Sequence, residues 1–239
     1  FVNYMSDNQQ LISVVIPVFN ESESIAYLLD EVISVMHANK LLFELIVIND
    51  GSKDNTSDVL DKLNNNIKEL LVISLRKNYG QTAAMAAGFD NSKGEIVITL
   101  DGDLQNDPND IPDLISHIND GYDLVCGWRF DRKDKLVNRR IPSKLANKLI
   151  AQVTGLKLHD YGCSLKAFKK EIIDDVKLYG ELHRFLPVLA NIEGAKIKEV
   201  KVNHRSRKYG SSKYGIDRTF RVLMDLLTVW FMTKFLTRP

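Results

Sequence analysis

Short apolar runs rich in β-branched residues recur along this chain, and stretches of helical periodicity separate them. The runs occupy residues 11–17, 43–48, 70–75, 96–100 and 123–127. After the helix-start residues Asn20-Glu21-Ser22, the apolar side chains Ile25, Leu28, Leu29, Val32, Ile33 and Met36 fall at helical spacing. Residues 56–63 and the Ala-rich stretch 81–89 read as two further helices. Strands alternating with helices predict an α/β fold built on a mostly parallel, doubly wound sheet. The runs also lack apolar–polar alternation, as expected where helices cover both faces of a sheet.

In such a sheet, ligands bind outside the carboxyl ends of the strands. Three of those ends carry polar or acidic groups: Asn20-Glu21, Asp50, and Asp101-Gly102-Asp103. Asp101 and Asp103 would point to opposite sides of a continuing strand. Gly102 is expected to bend the backbone so that both converge on one cation. Hard oxygen donors suit Mg2+ or Mn2+, which often bind substrate phosphates as well. The bland alternative for an isolated Asp-Gly-Asp is a solvated turn. No G-x-G-x-x-G follows the first strand and no P-loop signature is present. Phosphates must then be held through a metal and basic side chains.

Composition narrows the classes. The net charge of +1 gives no global attraction to nucleic acid. Cys126 and Cys163 are too few for a disulfide framework and lack metal-site spacing, which fits a reducing compartment. Residues 1–10 are polar, without a secretory apolar region, and stand outside the fold reading. The second half is different. Residues 129–148 are strongly basic, 161–168 and 197–202 read as further strands, and the chain from Tyr214 onward is helical and very apolar.

Several motifs in order resemble one family. They are Val15-Ile16-Pro17-Val18-Phe19-Asn20-Glu21, Val47-Ile48-Asn49-Asp50-Gly51-Ser52-Lys53-Asp54-Asn55-Thr56 and Asp101-Gly102-Asp103-Leu104-Gln105. Together they are similar to the nucleotide-sugar half of family 2 glycosyltransferases with the GT-A fold. Two more, Arg76-Lys77-Asn78-Tyr79-Gly80-Gln81 and His204-Arg205-Ser206-Arg207-Lys208-Tyr209-Gly210-Ser211-Ser212-Lys213-Tyr214, narrow the likeness. They resemble the polyprenyl-phosphate hexosyltransferases, the group of dolichol-phosphate mannose synthase and bacterial undecaprenyl-phosphate glucosyltransferases.

The resemblance implies a GT-A catalytic domain over 11–213 and a juxtamembrane amphipathic helix over 214–239. Relatives continue into transmembrane helices, so a multi-pass protein at the cytoplasmic face of the inner membrane is expected, with self-association through the membrane region. Pro17, Asn20, Glu21, Asp50, Gln81 and Asp101 would bind the nucleotide. Asp101, Asp103 and Gln105 would hold the metal on the diphosphate. Asp103 and Asp160 would be catalytic, Asp160 as the base. An acceptor phosphate is already largely ionised at neutral pH, so Asp160 has two alternative roles: orienting the acceptor, or steadying positive charge on the sugar. Arg129, Arg139, Arg140, Lys144, Arg205, Arg207, Ser212 and Lys213 would form the basic side of the site, binding phosphate groups of donor and acceptor. Gly210 and Ser212 would give the loop freedom for Lys213 to close.

Two segments read as membrane contacts. Residues 142–154 read as a helix, with Leu145, Leu149 and the preceding Ile141 on one side and Lys144 and Lys148 on another, which fits an interfacial helix or a core-packing one. Residues 214–236 place Phe220, Leu223, Met224, Leu227, Trp230 and Phe231 on one face. Arg218, Arg221, Asp225 and Thr228 line the other. A basic amphipathic helix with Trp and Phe lies in the membrane interface. The expected activity is inverting transfer of a hexose, glucose from UDP-glucose, to a polyprenyl phosphate. GDP-mannose as donor, a non-lipid acceptor, and a non-catalytic nucleotide-sugar sensor are the rivals.

Overall fold

The computed structural model describes residues 10–131, 147–209 and 217–236, apart from Lys148, Lys177, Tyr179 and Glu181. Seven strands form one sheet: β1 (Leu11–Val18), β2 (Leu42–Asn49), β3 (Leu70–Ser74), β4 (Ile96–Thr99), β5 (Leu124–Arg129), β6 (Lys166–Lys169) and β7 (Ile197–Val202). Their order is β3-β2-β1-β4-β6-β5-β7. β6 runs antiparallel between β4 and β5, while the other pairings are parallel. The carboxyl ends of β1, β2, β4, β5 and β7 therefore share one edge.

Helices α1 (Ile25–Ala38), α2 (Thr56–Asn66), α3 (Gln81–Asn91) and α4 (Ile111–Asn119) complete the donor-side layers. α1, α2 and α4 bury Leu28, Val32, Leu60, Leu114 and Ile118 against Val14, Ile16, Leu45, Val47 and Ile98. α3 covers the opposite face with Ala84, Met85 and Phe89 on Val15, Ile46, Ile48 and Val97. Both faces of the central strands are thus dry, which is why their sequences read as unbroken apolar runs.

The second half departs from expectation in two places. The strand expected over 161–168 is only Lys166–Lys169. Asp160 and Gly162 hold a turn instead, with the Gly162 N–H on Asp160 Oδ1 at 3.1 Å. The C-terminal helix Asp217–Phe231, continued by Met232–Leu236, has a second apolar side that the sequence reading does not include. Leu226 and Val229 form a buried seam against Ile150, Tyr161, Leu182, Phe185 and Val188. Met224, Leu227, Trp230, Phe231 and Phe235 remain exposed, at 40–58%. The helix therefore packs on the protein and also presents an apolar face. In the preceding helical segment Ile150 is buried and Leu149 exposed; Ile141, Lys144, Leu145 and Lys148 lie outside the described residues. Among the described residues no helix is long and apolar enough to cross a membrane, which leaves the multi-pass expectation without support there.

Candidate active site

The site grows from the shared strand edge. Beyond β1, Pro17 leads to Asn20, which takes the left-handed φ of 53° that asparagine tolerates. The Asn20 N–H donates to Ser52 Oγ at 2.9 Å, and its Oδ1 accepts the Lys53 N–H at 2.7 Å. The Glu21 N–H donates to Thr56 Oγ1 at 2.9 Å, and a Glu21 carboxylate oxygen accepts from Ser24 Oγ at 2.9 Å. These bonds knit the β1 end to the turn after β2.

Asp50 follows β2 and is 3% exposed. Its oxygens accept the N–H groups of Tyr79 at 2.7 Å and Gly80 at 2.9 Å. Burial pushes its pKa up, partly offset by those two amides. Asp50 thus pins the loop that starts α3. The first residue of α3, Gln81, donates from Nε2 to Asp101 Oδ1 at 2.8 Å. Two residues far apart in sequence are joined this way at the β4 end.

The backbone at Asp101-Gly102-Asp103 differs from expectation. Gly102 contributes room, not handedness: a Cβ there would sit 2.7 Å from Val18 Cγ1. The left-handed residue is Leu104, at φ 62°. Asp103 is buried, and its pKa rises to about 6. Burial is the largest cause, followed by the Asp101 charge; Arg207 and the Gln105 N–H oppose them, and Glu21 adds a further small rise. Arg207 forms an ion pair with Asp103 through Nη2. Its Nη1 is buried with no hydrogen-bond partner among the described residues.

Arg207 arrives on the segment after β7. That segment lies along the loop after β4 through an Asn106–His204 bridge and the Arg205 N–H on Gln105 O at 2.8 Å. Gln105 Nε2 reaches Arg205 O at 3.4 Å. The Arg205 guanidinium is engaged by Glu31 at 2.6 Å and Asp107 at 2.8 Å, so it fastens the segment to α1 and to the β4 loop. Tyr209 stacks on Tyr27 of α1 with centroids 6.1 Å apart. Arg139, Arg140, Lys144, Gly210, Ser212 and Lys213 lie outside the described residues.

Asp160 and Arg129 make the second acid–base pair. Arg129 Nε donates to Asp160 Oδ2 at 2.7 Å and Nη2 to Oδ1 at 2.9 Å. Burial works against the Arg129 charge, but Asp160 more than compensates and raises its pKa, with Asp101 adding a smaller rise. The 159–160 turn is held in turn by Glu199 of β7, a residue that no local motif marked. His183, also missed, places Nδ1 2.7 Å from Thr82 Oγ1 in the core.

The donor set at the β4 end fits a hard divalent cation. Asp103 and Asp101 are close enough for each charge to act on the other, and Mg2+ sites typically use one or two carboxylates with substrate phosphates. Among the described residues no cluster of three or more His, Cys, Asp or Glu stands ready to enclose a metal, so substrate oxygens would complete the shell.

Comparison with known proteins agrees with this architecture. Residues 13–177 match the model of glycosyl transferase family 2. The chain is 47% identical over 232 residues to the dodecaprenyl-phosphate galacturonate synthase of Rhizobium johnstonii, covering 95% of this chain and 69% of that protein. It is 41% identical over 218 residues to the undecaprenyl-phosphate 4-deoxy-4-formamido-L-arabinose transferase of Proteus mirabilis, covering 91% and 67%. Among solved structures it superposes on glucosyl-3-phosphoglycerate synthase from Mycobacterium tuberculosis, crystallised with Mn2+ and UDP-glucose, with a TM-score of 0.71. That likeness covers 94% of this chain and 79% of the other at 20% identity, and it shows the GT-A fold alone. Fold, motif order and sequence likeness agree: the chain belongs to glycosyl transferase family 2, among the polyprenyl-phosphate glycosyltransferases.

Proposed function

We propose that this protein transfers a glycosyl group from a nucleoside diphosphate sugar to a polyprenyl phosphate at the cytoplasmic surface of a membrane, with inversion. The observation that carries the reading is the carboxylate pair Asp101–Asp103 at the strand edge, with Arg207 held against it. Asp101 and Asp103, with Gln105 beside them, would hold Mg2+ or Mn2+. A bound cation supplies Lewis-acid neutralisation of the departing diphosphate. Pro17, Asn20, Glu21, Asp50 and Gln81 form the nucleotide side. Arg207 and Arg129 bind phosphate oxygens, for which the guanidinium fork is suited. An acceptor phosphate oxygen attacks the anomeric carbon as the bond to the diphosphate breaks on the opposite side. That oxygen is already ionised, and both Asp160 oxygens are taken up by Arg129. Asp160 therefore orients Arg129.

The relatives revise the expected sugar. Their names carry galacturonate and 4-deoxy-4-formamido-L-arabinose, and neither is glucose or mannose. A galacturonate donor is the leading reading, supported by 47% identity to the synthase. The exposed face of Met224, Leu227, Trp230, Phe231 and Phe235 would rest in the interface beside the acceptor headgroup. The test is a panel of UDP-linked galacturonate, formamidoarabinose and glucose, assayed with polyprenyl phosphate in liposomes. Galacturonate transfer is expected. Equal use of UDP-glucose overturns the donor assignment, and transfer only to water-soluble acceptors overturns the lipid one. The W230S/F231S double variant should sediment less with anionic liposomes while keeping its donor affinity. Burial of one Phe-sized side chain contributes about 1.5–3 kcal/mol, so unchanged sedimentation would remove this face from the membrane.

A further inference from the structure

Glu199 sits on β7 opposite Cys126 of β5, with its side chain 11% exposed. Its carboxylate gathers donors from one turn. Oε1 accepts the His159 N–H at 2.8 Å and the Asp160 N–H at 2.9 Å. Oε2 lies 3.0 Å from the His159 N and 2.7 Å from His159 Nδ1. The side chain of Asp160 then clamps Arg129 through two bonds. Arg129 stands on β5, the strand that β7 pairs with, in register with Val202. The path from Glu199 through Asp160 to Arg129 is therefore a closed bracket across two adjacent strands. His159 tightens it by stacking on Trp128 with centroids 4.1 Å apart.

We propose that Glu199 is a positioning residue for glycosyl transfer: by holding the 159–160 amides from β7 it sets where Asp160 presents Arg129. This rests on the reading above that Arg129 meets a phosphate. Both anchors are rigid strands, so the placement is inherited from the sheet and not from a loop.

Two substitutions separate placement from charge. E199Q keeps one carbonyl oxygen where Oε1 accepts both amides. Its NH2 group faces His159 Nδ1, which accepts in the other tautomer; the 3.0 Å bond from the His159 N–H to Oε2 is given up, while the shorter one to Oε1 remains. E199D keeps the charge but withdraws the carboxylate by one methylene. Misplacement by about 1 Å can cost about 100-fold in rate. E199D should therefore lower kcat by roughly tenfold or more, with donor KM within about twofold of the parent. E199Q should stay within about threefold in kcat. Circular dichroism and melting temperature check that both variants fold. The reverse ranking, or parent-like kcat in E199D, overturns the proposal. D160N is run alongside: if it is slow while E199D matches the parent, only the positioning role fails. If D160N itself matches the parent, the reading of the Asp160–Arg129 pair fails.

Discussion

Asp103 and Asp160 are both buried carboxylates facing an arginine, yet they are in opposite electrostatic condition. Asp103 meets Arg207 through a single nitrogen while Asp101 and Glu21 add negative charge. Its pKa is pushed up to about 6, first by burial and then by the Asp101 charge. Asp160 meets Arg129 through both oxygens and also accepts the Gly162 N–H. On the function proposed here, the first carboxylate is the one that would take a further cation. The second is clasped at both oxygens by one guanidinium. Two identical side chains thus stand in different surroundings.

Breaking each pair should give unequal losses. D103A should abolish transfer, by roughly 1000-fold or more, because several kcal/mol of charge stabilisation on the leaving group would be lost. Cation-dependent nucleotide binding, followed by calorimetry with and without chelator, should vanish with it while the circular dichroism spectrum is kept. Full turnover of the parent in chelator would overturn the comparison at its stronger end. D160N should cost less, about 10- to 100-fold in kcat, through misplacement of Arg129. The acidic limb of its pH profile should persist, since the acceptor phosphate titrates near pH 6. Loss of that limb in D160N would make Asp160 the base after all.

The two regions were also unequally legible. The Asp101 site follows a strand whose apolar run and abrupt acidic end are contiguous in sequence, so its place on the sheet edge could be read locally. Gln81 came with a motif, although its partner Asp101 is 20 residues away. The Asp160 region depends on pairings that no window contains. β6 threads antiparallel between β4 and β5, shortening the expected strand, and Glu199 lies 39 residues from the amide it holds. The resemblance puts Arg205 among the phosphate ligands. Its ion pairs to Glu31 and Asp107 become visible only once α1 and the β4 loop are side by side. Leu226 and Val229 escaped because the exposed apolar face of their helix carries the stronger pattern.

A third buried group extends the comparison to a site where the neighbouring charges that act on it are positive. His183 joins Thr82, at the start of α3, to the turn Leu182–Phe185 of the second half. Burial, with Arg184 and Lys166 nearby, lowers its pKa to about 3. The unfolded chain would bind this proton below about pH 6.5 while the native state does not. The unfolded state then holds more protons, so stability falls as pH falls. The contribution is complete above pH 6.5 and erodes on the way down toward 3. At pH 5 the loss is about 2 kcal/mol relative to neutral pH. For a chain of this size that is about 4–8 °C in melting temperature. H183Q keeps a polar partner for Thr82 and has nothing to titrate in this range. The parent should therefore lose more melting temperature than H183Q between pH 7 and pH 5, by about that margin. Equal losses in the two proteins would show that His183 is protonated in the folded state, and that the joint between the halves carries a charge.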